Sequence, residues 1–136
     1  MILIDSNVWL FAHLEDYPEH ETAEPLVEQM LKEDVIATNA IVVSEVYHKM
    51  SLILDRQTAA AKVSAILESA GVRCLTMQRE TIAKAVSMAS RLQMRINDAL
   101  IAQQALEEGA TILTDDRRSF KKVKGLRIRQ LNPPNR

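Results

Sequence analysis

The sequence predicts an α/β domain with a mainly parallel central sheet covered by helices on both faces. Three observations carry this. Short apolar runs alternate with longer amphipathic segments along the 136 residues, and strands separated by helices need crossover connections, which favour parallel pairing. Hydrophobic residues make up 47% and charged residues 26%, an ordinary globular balance that excludes a disordered tail, a collagen-like fibre and a disulfide scaffold. Three glycines and four prolines are too few turn formers for a loop-rich all-β chain. One domain spanning residues 1–136 is expected, with a core that needs no staple. The 4% aromatic content is low for a platform that stacks bases.

Ile2-Leu3-Ile4 reads as a short buried strand. Ser6 to His13 reads as a helix with Ser6 as its N-cap. Pro18 to Lys32 is helical, with Ala23, Leu26, Val27, Met30 and Leu31 at three- and four-residue spacing. Val35-Ile36-Ala37 is the second strand, and Thr38 or Asn39 caps a helix that runs to about Leu54. Another helix covers about Thr58 to Ala70, stopped by Gly71 as a glycine just past a helix end. Val72 to Leu75 is the third strand. Arg79 to Leu92 and Asn97 to Glu108 are helices, the second ended by Gly109. Thr111-Ile112-Leu113 is the fourth strand. A short basic helix or turn follows Asp116, Leu126 to Leu131 forms a last strand, and Pro133-Pro134 ends regular structure.

Cys74 is the single cysteine, so neither an intrachain disulfide nor a cysteine-based zinc site is available. It reads as a small apolar residue of a buried strand. The first residues enter structure without a basic segment and a long apolar run, so no signal peptide is expected. No stretch reaches the length of a membrane span, which makes a cytoplasmic protein the expectation. His13, His20 and His48 show no metal-binding spacing. His20, in Glu19-His20-Glu21, reads as solvated, and no nucleophile elbow or glycine-rich phosphate loop is present.

In parallel α/β folds the chemistry gathers at the carboxyl ends of the strands. Asp5 follows the first strand, and Asp115 and Asp116 follow the fourth. Asp5 also suits a helix cap and the Asp pair a solvated turn. Glu45 is an acid among Ile41, Val42 and Val46, within reach of Lys49 one turn on. Asp98 sits in the first turn of a helix whose Ile101, Ala102 and Ala105 turn it inward. Carboxylates that converge repel one another unless protonated or neutralised by a cation. Oxygen-only ligands suit Mg²⁺ or Mn²⁺ rather than Zn²⁺. Such a site can activate water for phosphodiester cleavage.

The formal net charge of −1 hides an asymmetry. Residues 117 to 136 hold Arg117, Arg118, Lys121, Lys122, Lys124, Arg127, Arg129 and Arg136 and no acid, so this segment is +8 and the remainder −9. A cationic strip beside an acidic rim fits a polyanion such as a nucleic acid, with Arg117, Arg118, Lys121 and Lys122 as the residues expected to hold its phosphates.

These pieces together resemble the PIN-domain ribonucleases in the form of VapC-type toxins of toxin–antitoxin pairs. Ile2-Leu3-Ile4-Asp5-Ser6-Asn7 is similar to the family's opening. Val43-Ser44-Glu45-Val46-Tyr47 is similar to its Glu-bearing helix. Asn97-Asp98-Ala99-Leu100-Ile101-Ala102 and Leu113-Thr114-Asp115-Asp116 are similar to its third acid and its final Thr-x-Asp. The four pieces fall in the family's order, 40, 53 and 18 residues apart. Phe120 falls four residues after Asp116, where the family places an aromatic at three; the Thr-x-Asp spacing selects Asp116 over Asp115. The resemblance implies a single three-layer α/β/α PIN-like domain with a mostly parallel central sheet. It implies a Mg²⁺- or Mn²⁺-dependent endoribonuclease, a homodimer and a small antitoxin partner that blocks the site. By position, Asp5, Glu45, Asp98 and Asp116 would be both metal ligands and catalytic residues. Asn7, Thr114 and Asp115 would support them from behind.

Other readings make different demands. A haloacid-dehalogenase-like phosphatase needs a second Asp where Asn7 stands. A receiver domain needs an acidic pair after the first strand and a central phospho-accepting Asp. A PIN-like module that binds RNA or protein without cutting is the remaining alternative, and the presence of all four acids argues against it.

Overall fold

The apolar runs form a five-stranded sheet in the computed structural model, which describes residues 1–116 and 118–132. The strands are β1 (Ile2–Ile4), β2 (Ile36–Asn39), β3 (Val72–Leu75), β4 (Thr111–Thr114) and β5 (Arg127–Gln130). Their order is β3-β2-β1-β4-β5, and every pairing is parallel. Six helices connect them: α1 (Ser6–His13), α2 (His20–Lys32), α3 (Ala40–Ile53), α4 (Arg56–Glu68), α5 (Arg79–Leu92) and α6 (Ile96–Glu108). The helices cover the sheet in a three-layer α/β/α arrangement. β1, β2 and β4 read as near-continuous buried runs because strands inside such a fold are covered on both faces. Leu3, Ile4, Ala37, Ile112 and Leu113 are wholly buried, packed with Val8, Val42, Ile101 and Phe120.

Several local expectations change. Asp5, not Ser6, caps α1: its Oδ1 accepts from the Ser6 N–H at 2.9 Å, and Ser6 is the first helical residue. Asn39 caps α3, with Oδ1 accepting from Val42 N–H at 2.9 Å. α2 begins at His20 rather than Pro18. α4 begins earlier than expected because Asp55 caps it, accepting from Thr58 N–H at 2.7 Å, and it ends at Glu68. Gly71 is therefore not the stop of α4. A Cβ there would lie 2.6 Å from the Leu31 carbonyl oxygen, so close backbone approach is what requires glycine. Gly109 does end α6 as expected, at φ 64°.

Cys74 is exposed. The run around it looked buried, but β3 is an edge strand that pairs only with β2. His20 is half-buried rather than solvated: its ring Nδ1 lies 2.7 Å from the Phe11 carbonyl and its Nε2 3.1 Å from Glu24. The last strand is β5, pairing Ile128 with Ile112. The basic segment before it forms a single 3₁₀ turn at Phe120–Lys122. Arg117, Pro133, Pro134 and Arg136 lie outside the described residues. Among the described residues, no helix is long and apolar enough to cross a membrane.

Candidate active site

The order β3-β2-β1-β4-β5 puts β1 and β4 side by side at the centre, so the residues following them share one rim. Asp5 and Thr114 meet there. The Thr114 hydroxyl donates to Asp5 Oδ2 at 2.7 Å and accepts from the Asp116 N–H at 2.9 Å. One buried hydroxyl thus ties both strand ends together. Asp5 is 6% exposed. Burial pushes its carboxyl up to about 6; the Thr114 and Ser6 donors work against that, and the charges of Glu45 and Asp98 add to it.

Two helices bring the other acids to this rim. Glu45 projects from α3, and its Oε2 accepts from Asn97 Nδ2 at 3.3 Å. It does not pair with Lys49. Its cation is Arg95, whose Nη2 stands 3.5 Å from Oε2. Asp98 lies in the first turn of α6 and is buried. Desolvation raises its pKa against the pull of Arg95, and the charges of Asp116 and Glu45 raise it further. Asp116 behaves differently. Burial pushes its pKa up, but the N–H groups of Arg118 at 2.8 Å and Ser119 at 3.1 Å, with the Ser119 hydroxyl, bring it below the ordinary value.

The four predicted acids therefore act on one another electrostatically, although they come from two strand ends and two helices. Asp115 stands apart: its N–H donates to Asn7 Oδ1 at 3.4 Å, and its Oδ1 accepts from Asn132 Nδ2 at 3.3 Å. Asn7 thus holds the backbone of the Asp115 turn. Among the described residues, no three acidic, His or Cys side chains are drawn into a ready-made metal cage. Unneutralised carboxylates keep their distance, and Mg²⁺ characteristically takes one or two carboxylates and retains waters. The donor set, all carboxylate oxygen with one acid raised to about 6 chiefly by burial, fits a hard divalent cation in kind.

The basic residues divide. Arg118, Lys121 and Lys122 are exposed in and beside the turn after Asp116, and Lys122 Nζ donates to the Gln93 carbonyl at 3.3 Å. Arg127 instead bonds the Gly109 carbonyl, at the strands' amino ends and away from the rim.

Sequence reasoning missed two features. One is Arg95. The other is a buried polar pin: Asn39 Nδ2 donates to Gln104 Oε1 at 2.7 Å, and Gln104 Nε2 donates to the Thr76 carbonyl at 3.0 Å. Asn39 stands six residues before Glu45, and Gln104 six after Asp98. The pin therefore sets the antiparallel register of α3 on α6 that brings those two acids together. A Gln on the otherwise apolar inner face of α6 was the available signal. Two concavities of about 320 and 410 Å³ lie elsewhere, the first between α1, α2 and α4 and the second beside the α1–α2 connection.

Comparison with known proteins agrees with this architecture. VapBC2 from Rickettsia felis, in complex with a promoter DNA fragment, is 20% identical with a TM-score of 0.75 over 96% of this chain and 98% of that one. Mycobacterium tuberculosis VapC20, described as a sarcin–ricin loop cleaving toxin, is 19% identical with a TM-score of 0.73 over 82% and 87%. FitAcB from Neisseria gonorrhoeae is 21% identical with a TM-score of 0.68 over 96% and 98%. At these identities the likeness is one of fold. No curated protein has a significantly similar sequence. The PIN-domain family model matches residues 2–126. An acidic rim built from β1, α3, α6 and β4, on a sheet of this order and under a match of that extent, places the chain in the PIN-domain family.

Proposed function

We propose that the chain is one PIN domain acting as a Mg²⁺- or Mn²⁺-dependent endoribonuclease, the cytoplasmic toxin of a VapBC-type pair. The observation that carries this is the convergence of Asp5, Glu45, Asp98 and Asp116 on one rim, where burial, with a smaller push from the charges of Glu45 and Asp98, lifts Asp5 to about 6. Such a cluster has little structural use and a clear catalytic one. A bound divalent cation would supply an acidified water and neutralise charge on the scissile phosphate. The four carboxylates would hold that cation, which would offset the cost of the buried Asp5 charge. Water would add to phosphorus as one P–O ester bond breaks, with one proton of that water lost to solvent and the departing oxygen taking one up. Thr114 and the Arg118 and Ser119 N–H groups fix the carboxylates against rotation. Arg118, Lys121 and Lys122, with Arg117, would hold the backbone phosphates of RNA. One structural neighbour is a toxin–antitoxin complex from Klebsiella pneumoniae, which supports a small antitoxin here too; a homodimer belongs to the same reading by family resemblance alone.

The test is calorimetric titration of Mn²⁺ into wild type and Asp98→Asn, followed by sequencing of RNA ends after induced expression of both. Wild type is expected to bind Mn²⁺ and produce new RNA ends, and Asp98→Asn to do neither while remaining folded. Absence of Mn²⁺ binding by wild type, even with RNA present, would favour the non-cutting binding module.

A further inference from the structure

One cation sits inside the acidic rim, and none of the matched motifs accounts for it. The chain has 17 lysines and arginines. Among the described residues only Arg95 forms a lysine or arginine ion pair with a carboxylate, and that carboxylate is Glu45. The two partners are unlike. The Arg95 side chain is 72% exposed and that of Glu45 12%. The contact is a single Nη2–Oε2 approach of 3.5 Å, not a bidentate fork, and Arg95 precedes α6 with an extended backbone, φ −62° and ψ 142°. A pair of this kind is weak and easily exchanged. The same guanidinium also draws down Asp98 and Asp116, so it faces three of the four acids.

We propose that Arg95 is an exchangeable counter-ion of the acidic rim. Without a divalent cation it partners Glu45. When a cation takes the carboxylates, the guanidinium is released to hold a backbone phosphate of the RNA beside the scissile bond. Oε2 of Glu45 is the oxygen that both Arg95 and Asn97 already use, so a cation drawn to it competes directly with Arg95. The freed guanidinium suits the planar, multiply accepting oxygens of a phosphodiester. This inference rests on the metal-dependent nuclease reading and adds to it a residue that touches substrate.

Titration of Mn²⁺ into metal-free wild type, Arg95→Gln and Arg95→Lys, with kcat and KM on one single-stranded RNA, tests it. Loss of the competing charge should tighten Mn²⁺ binding of Arg95→Gln about threefold. Loss of the phosphate contact should raise KM for RNA about tenfold and lower the salt slope of log KM by about 0.7. Arg95→Lys, which keeps the charge but loses the fork, should stay near wild type in Mn²⁺ binding and fall between wild type and Arg95→Gln in KM. The two effects have opposite signs, which damage to the fold cannot produce, since a loosened site weakens both. Unchanged or weaker Mn²⁺ binding by Arg95→Gln, or an unchanged KM, overturns the proposal. A wild type that binds no Mn²⁺ instead removes the nuclease reading beneath it.

Discussion

Asp5 and Asp116 follow adjacent parallel strands and share the Thr114 hydroxyl, yet their carboxyls are displaced in opposite directions. Asp5 accepts one backbone N–H and one hydroxyl, and burial beside two other acids outweighs them, lifting it to about 6. Asp116 sits at the open side of the rim and accepts two N–H groups from the turn that follows it, which outweigh its lesser desolvation. Proximity to the same cluster does not decide the charge state of an acid. The balance between lost water and local donors does. The rim thus holds one acid whose charge is stabilised in the turn and one whose charge is costly in the sheet, which a cation bound there would relieve.

The largest expected effect comes from removing either charge. Asp5→Asn and Asp116→Asn should each cut RNA cleavage by more than about a hundredfold, beyond the loss typical of outer-shell partners. Their metal-free melting temperatures at pH 7.5 should diverge: Asp5→Asn rises because a buried charge is gone, and Asp116→Asn falls because charge-assisted bonds are weakened. A fall of equal size in both would abolish the contrast.

The next test is pH. Asp5 holds its proton more tightly folded than unfolded, so its contribution to stability is full below the ordinary carboxyl value of 3.8 and is lost as pH rises through about 6. Two units correspond to about 3 kcal/mol. Asp98 is displaced the same way. Asp116 works oppositely: its contribution is present above 3.8 and lost as pH falls below that value. Unfolding in chelator should therefore show stability declining between pH 4.5 and 7, and Mn²⁺ should restore it at the upper end. A flat profile contradicts the burial of Asp5.

A smaller change, Thr114→Val, keeps the shape and removes the hydroxyl joining the two strand ends. It should cost about 1–3 kcal/mol in chemical denaturation, since the Asp116 N–H and Asp5 Oδ2 each lose a partner. With its donor gone, Asp5 should titrate above its wild-type value in a carboxyl-detected NMR titration.

The alternation of strands and helices was legible because covered parallel strands are written as short apolar runs. That Asp5 and Asp116 share a rim was legible because the residues after parallel strands stand at one end of the sheet; Glu45 and Asp98 stood out as acids on otherwise apolar helix faces. What could not be read depends on neighbours distant in sequence. Cys74 was misjudged because an edge strand and a central strand have similar composition. Gly71 was misjudged because Leu31, whose carbonyl it faces, lies forty residues earlier. Arg95 and the Asn39–Gln104 pin were missed because their partners belong to other helices. Asp5 taking the cap from Ser6 was undecidable by propensity, since both residues cap well.

The bond between Thr114 and Asp5 spans 109 residues of chain, and all six helices lie between β1 and β4. A chain emerging from the ribosome exposes Asp5 before any of the six helices, yet the strand that completes its surroundings follows only after every helix has been made. The pocket is therefore assembled late, whatever the order in which the helices dock. On the proposed nuclease reading, this topology would act as a delay, with the rim incomplete until the last of its strands has been made.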